Sequence, residues 1–146
     1  VYHNSPRQYG LTQEHKHLKE MKAITGIEKA PLFSPIVADY YSGMAVTVPL
    51  FKENLCSGKG VCDIIDAYKN TYNSDFVKYT EETGNDAMFC AEKMSGNDGM
   101  EILVKGNDER ILLLARYDNL GKGASGAAVE CMNILMGIDP KTGLTL

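Results

Sequence analysis

The sequence predicts an α+β fold in which helices cover one face of a mostly antiparallel sheet. Two apolar runs, residues 100–105 and 110–117, flank Gly106-Asn107-Asp108-Glu109 in the pattern of a β-hairpin. Two other stretches repeat apolar residues at the three-and-four spacing of amphipathic helices. At 146 residues, with 44% hydrophobic and 23% charged residues, 14 Gly and 5 Pro, the chain suits one globular domain and not a disordered, collagenous or repeat protein.

In chain order, Thr12 is expected to N-cap a helix over residues 13–25, with Leu18, Met21 and Ile24 as its apolar stripe and Gly26 as its stop. Residues 32–38 and 44–51, rich in Val, Ile, Phe and Tyr, read as strands separated by Asp39-Tyr40-Tyr41-Ser42-Gly43. A turn over 56–60 leads to a helix over 61–72 carrying Val61, Ile64, Ile65, Tyr68 and Tyr72 on one face. Short strands are expected at 76–80 and 87–92, then the hairpin. A last helix over 126–136 presents Val129, Met132, Leu135 and Met136, and Gly137 and Pro140 end it.

A net charge of −4, with basic and acidic residues interspersed, argues against nucleic acid as a partner. No apolar run approaches the ~20 residues that span a bilayer, so no membrane segment is expected. Cys56, Cys62, Cys90 and Cys131 give only weak evidence for a disulfide framework, none for a zinc site and no nucleophile signature, and a reducing, cytoplasmic setting fits them best. No metal site is expected. The opening Val1-Tyr2-His3-Asn4, without an initiator Met or a targeting pattern, suggests that the chain begins inside a longer protein.

All three histidines precede residue 18. On a helix His17 and Glu20 share a face at i, i+3, so the carboxylate can hold the imidazole as a general acid/base is held; a solvated, charge-alternating first turn is the plainer reading of the same spacing. Gly121-Lys122-Gly123-Ala124-Ser125-Gly126 satisfies G-x-G-x-x-G, but a dinucleotide fingerprint opens a βαβ unit and only one helix follows here. Close packing of strand against helix is the simpler role of these glycines, with a residual case for anion binding at the helix N-terminus.

Two segments together carry a family resemblance. Residues 8–21, QYGLTQEHKHLKEM, and 118–144, DNLGKGASGAAVECMNILMGIDPKTGL, closely resemble the second half of N-acetyl-gamma-glutamyl-phosphate reductases, at matching spacing. The resemblance implies a glyceraldehyde-3-phosphate dehydrogenase-like C-terminal domain, serving catalysis, substrate binding and dimerisation. It implies an NADP-dependent enzyme of arginine biosynthesis, in which a cysteine thiolate attacks N-acetylglutamyl phosphate, phosphate leaves and hydride reduces the thioester to the semialdehyde. The nucleophile and the N-terminal nucleotide-binding domain lie upstream in the family, and no cysteine here matches the nucleophile, so the isolated chain is expected to be inactive.

The same resemblance assigns His15, His17 and Glu20 to acid/base catalysis, Asn119, Lys122 and Gly123 to the cofactor, and Tyr41, Ser42 and Gly43 to the substrate. The family usually has Arg-Gly where Ser42-Gly43 stands, and Pro where Lys19 stands. Residues 121–146 are expected to pack on the nucleotide-binding domain, and the chain to form a homo-oligomer. The competing hypothesis is a stand-alone α+β binding or dimerisation module without catalysis.

Overall fold

The computed structural model describes residues 5–83 and 88–146. The chain, expected to form one domain, divides into two compact units, one ending at Tyr41 and the other beginning at Ser42.

In the first unit, β1 (Arg7–Gln8) pairs antiparallel with β2 (Ile36–Val37), and helix α1 (Lys16–Thr25) lies between them in sequence. The helix starts later than Thr12 predicts. Gln13 takes φ = 57° in a turn, so no helix runs through it, and the side chain of His15 supplies the cap instead. Gly26 ends α1 as expected, in the left-handed conformation with its N–H on Lys22 O. Of the predicted stripe Leu18 is buried, whereas Ile24 is exposed. The strand expected over 32–38 shrinks to two residues because Pro31 and Pro35 have no N–H to give a ladder.

The second unit is built on four strands in the order β3-β6-β5-β4. They are β3 (Met44–Phe51), β4 (Val77–Tyr79), β5 (Met100–Gly106) and β6 (Arg110–Tyr117). The β5–β6 hairpin forms as predicted, β3 adds antiparallel to β6, and β4 joins β5 in parallel. Being an edge strand, β3 accommodates Pro49. Helix α2 (Val61–Thr71) packs against β5. Its first N–H groups are satisfied by Asp63 Oδ2, which accepts from Gly60 N at 2.9 Å, and by Asp108 Oδ1 in the hairpin turn, which accepts from Val61 N at 2.9 Å. The strand expected at 87–92 is not formed by its described residues; Ala91–Met94 make one 3-10 turn, and Ala87 lies outside the described residues.

Ile102, Leu103, Val104, Ile111 and Leu114 form the core of the sheet. The hairpin register sets Glu101 opposite Arg116, and the fully buried guanidinium meets Glu101 Oε2 at 2.6 Å. It also donates to the carbonyls of Thr83 and Glu82, and Phe89 stacks on it. A buried cation is tolerable only with such full compensation. Helix α3 (Gly126–Met136) has the predicted bounds, but a five-residue π turn, Gly121–Ser125, precedes it. Asn133, on α3, is buried and donates to Pro140 O and Thr142 O, while Met132, Leu135 and Met136 stay exposed.

Candidate functional site

The first unit carries an aromatic cluster around the two imidazoles. The His15 and His17 rings lie 4.6 Å apart, edge to face. Phe33 is 5.0 Å from His15 and 6.0 Å from His17, and Tyr9 is 5.9 Å from His15. Neither Tyr9 nor Phe33 follows from the local spacing, because segments on both sides of α1 bring them there.

The two histidines are held differently. His15 Nδ1 accepts the N–H of His17 at 3.3 Å and caps α1, which places the proton of its neutral form on Nε2. His17 Nε2 faces Glu20 Oε2 at 3.9 Å. Both partners of that pair are largely exposed, so it contributes little to stability, and its chemical content is orientation.

In the second unit, register gathers three loops at one end of the sheet, because Met44 and Met100 both lie opposite Tyr117. The loops before β3 and β5 therefore meet the loop after β6. At their junction the buried carboxylate of Asp118 accepts from Gly96 N at 2.6 Å, Leu120 N at 2.7 Å, Gly121 N at 3.2 Å and Ser42 Oγ at 3.0 Å. Burial opposes its charge, yet these hydrogen bonds outweigh burial and hold the carboxyl below the usual aspartate range. Ser42 and Ser95 hydroxyls are 2.6 Å apart.

Ser42, expected among the substrate ligands, is buried, and its hydroxyl is hydrogen-bonded to Asp118 and Ser95. Tyr41 is exposed and lies in the first unit. Gly43 is also buried, at φ = 121°, where an added Cβ would lie 2.6 Å from the carbonyl oxygen of Ala91. Its N–H donates to Asn119 Oδ1 at 2.8 Å. That bond fixes the flip of the Asn119 amide and leaves its NH2 as the group that can donate to a ligand.

Lys122 and Gly123 are placed otherwise than the glycine pattern suggests. The Lys122 ammonium meets Glu130 Oε2 at 2.6 Å and lies over Phe76, so its charge is engaged within the unit. Gly123 backs onto the Tyr117 ring. A Cβ on Gly121 or Gly126 would come within 2.8 Å or 2.2 Å of Asp98 Oδ1. A side chain at either glycine would collide with this carboxylate, so glycine permits the close approach of Asp98 to the helix start. The four cysteines are free and exposed.

Residues 2–119 match the family described as semialdehyde dehydrogenase, dimerisation domain. Over 133 residues, 88% of the chain, the sequence is 43% identical to the N-acetyl-gamma-glutamyl-phosphate reductase of Allorhizobium ampelinum. It is 39% identical to the reductases so named from Sinorhizobium medicae and Brucella anthropi over 88% of the chain. Each alignment covers 43% of the relative, so the chain spans less than half their length. The match over most of the chain, together with the four-stranded sheet and its helices, shows that this chain belongs to the semialdehyde dehydrogenase dimerisation-domain family.

Proposed function

We propose that the chain is the catalytic and dimerisation portion of an N-acetyl-gamma-glutamyl-phosphate reductase of arginine biosynthesis, whose nucleophilic cysteine and nucleotide-binding domain belong to the part of the relatives that it does not span. The observation that carries this reading is the imidazole pair with Glu20: the residue types needed to move a proton at an acyl centre sit on one helix start.

His17, backed by Glu20, is the proton carrier. His15 cannot accept a proton at Nδ1 without losing the helix cap, so it serves as a hydrogen-bond donor through Nε2. NADPH, when bound, would supply the hydride and leave as NADP+. This chain fits its nicotinamide at Asn119, whose NH2 can donate to a carboxamide oxygen while Gly43 and Asp118 keep the loop in place. Lys122 acts only inside the chain, through Glu130.

The test is NADPH oxidation dependent on N-acetylglutamyl phosphate. The full-length protein is expected to show it, and the isolated chain is expected to show none, because acid/base groups without the nucleophile leave only positioning. A full-length protein that leaves NADPH untouched would favour the binding-module hypothesis.

The same reading assigns the open half of the sheet to self-association. Val46 and Val48 on β3 lie opposite Ala115 and Leu113, and with Ile102, Tyr68 and Tyr72 they line an apolar groove that α2 leaves open. Met44, Val46, Val48 and Phe51 are all exposed. A second copy is the occupant we propose, given the family's dimerisation role. In a two-fold interface Val48→Glu acts twice. At ~1.5–3 kcal/mol for each side chain left unburied, the dimer is expected to weaken by about 10²–10⁴-fold in sedimentation equilibrium. An unchanged dissociation constant would place the interface elsewhere.

A further inference from the structure

Gln13 is the one non-glycine residue at positive φ among the described residues. A left-handed turn suits Gly or Asn better than Gln, so the side chain at this position needs a reason. Its amide supplies one. Oε1 accepts the N–H of Phe33 at 2.9 Å, and Nε2 donates to the carbonyl of the same residue at 2.8 Å. Both polar backbone groups of a residue twenty positions away are therefore held by one side chain. Nε2 also reaches Gly10 O at 3.3 Å, and the Gln13 N–H bonds the same carbonyl at 3.0 Å.

Phe33 is the residue whose ring touches both imidazoles. Its backbone lies in a segment without helix or ladder bonds of its own, between Pro31 and Pro35. The Gln13 amide replaces the missing ladder. Two aromatic contacts then transmit this fixed backbone to the orientation of the His15 and His17 rings. A strained backbone position that survives beside such a pair points to function rather than to turn geometry alone.

We infer that Gln13 is a positioning residue for the imidazole pair: it clamps the Phe33 backbone so that the Phe33 ring sets the geometry of His15 and His17. The catalytic part of this inference rests on the reductase reading. The positioning part does not, and the two are separable by experiment.

The experiment uses the full-length protein carrying this chain, with histidine labelled at Cε1. Gln13→Gly removes the clamp while relaxing the backbone, and Phe33→Leu removes the ring while leaving the clamp. Both variants are expected to move the His15 and His17 Cε1–H resonances in the same sense, because the ring current of Phe33 is displaced in one and lost in the other. Both are expected to lower kcat by about tenfold to a hundredfold, as a small misplacement of catalytic groups does, with KM within about twofold of the parent. Gln13→Glu, which keeps an acceptor for the Phe33 N–H but loses the donor to its carbonyl, is expected to fall between Gly and the parent.

Unshifted histidine resonances in a folded Gln13→Gly protein would overturn the proposal and leave Gln13 a turn residue. Shifted resonances with unchanged kcat, in a protein whose turnover His17→Ala abolishes, would also overturn it. If His17→Ala leaves turnover intact, the proton-carrying role of His17 fails instead, and the resonances alone decide the positioning role; a full-length protein without NADPH oxidation is what overturns the reductase reading.

Discussion

Replacing His17 by alanine in the full-length protein is expected to lower kcat for NADPH-dependent reduction of the acyl phosphate by about 10²–10⁴-fold, the ordinary contribution of a positioned acid/base group. The fall should lie in kcat and not in KM, because the exposed imidazole faces Glu20 and is placed to move a proton, not to hold substrate. His15→Asn keeps an acceptor at the N-cap of α1, so it separates the loss of the cap from the loss of the ring. It removes a hydrogen-bond donor only, and its expected cost is about a hundredfold or less. Steady-state kinetics of the two variants decide the division of labour. A larger loss for His15→Asn than for His17→Ala would transfer the proton-carrying role to His15.

The second large effect concerns stability. Asp118→Ala strips the acceptor from three backbone N–H groups, those of Gly96, Leu120 and Gly121, where three loops meet around the buried carboxylate. A fully buried orphaned donor costs about 1–3 kcal/mol, but Gly96 and Leu120 are exposed and Gly121 half-buried, so water recovers part of the loss and the expected total is ~1–3 kcal/mol, still a sizeable part of the 5–15 kcal/mol typical of a domain. The Ser42 hydroxyl keeps Ser95 as a partner and adds little to the loss. The denaturation midpoint measures the effect.

Its pH dependence is fixed by the direction of the shift. The Asp118 carboxyl is held below its ordinary value in the folded chain, so its contribution is complete above the unfolded pKa near ~4 and fades as pH falls through the lowered folded value. The gap between parent and Asp118→Ala is thus expected to be constant at neutral pH and to close in acid. A gap that persists at pH ~2 would mean that the carboxylate is not the stabilising form.

Much of this architecture is legible in the sequence where the signal is local. Strands β3 and β6 and helix α3 begin and end where the apolar runs and the flanking glycines place them. The Glu101–Arg116 pair is also readable in principle, since the hairpin turn fixes which residues face each other. Distance along the chain hides the rest. The β1–β2 ladder joins pairs of residues nearly thirty positions apart with no alternating pattern, and the start of α1 depends on the backbone of Gln13.

The same contrast runs through the candidate site. His17 and Glu20 are legible because helical spacing alone brings them together, whereas the same spacing points His15 elsewhere, and it meets the His17 ring only because it caps α1 from outside the helix. Ser42, Ser95 and Asp118 carry no such mark, because sheet register and not sequence proximity makes them neighbours. The buried state of Ser42 could not be read from a loop that looks like a polar turn.

The order β3-β6-β5-β4 also bears on how the chain is made. Among the described residues strand β3 finds its only sheet partner in β6, with Phe51 opposite Arg110. During synthesis at ~5–20 residues per second, β3 leaves the ribosome roughly 3–12 s before that partner exists. Throughout this interval Met44, Val46, Val48, Leu50 and Phe51 form an unpaired, β-prone segment of the kind that seeds aggregation. Pro49 interrupts the run at a position an edge strand tolerates, and Lys52 and Glu53 follow it directly. The nascent strand is thereby shielded by its own gatekeepers until the β5–β6 hairpin, closed by a four-residue turn, offers it a template.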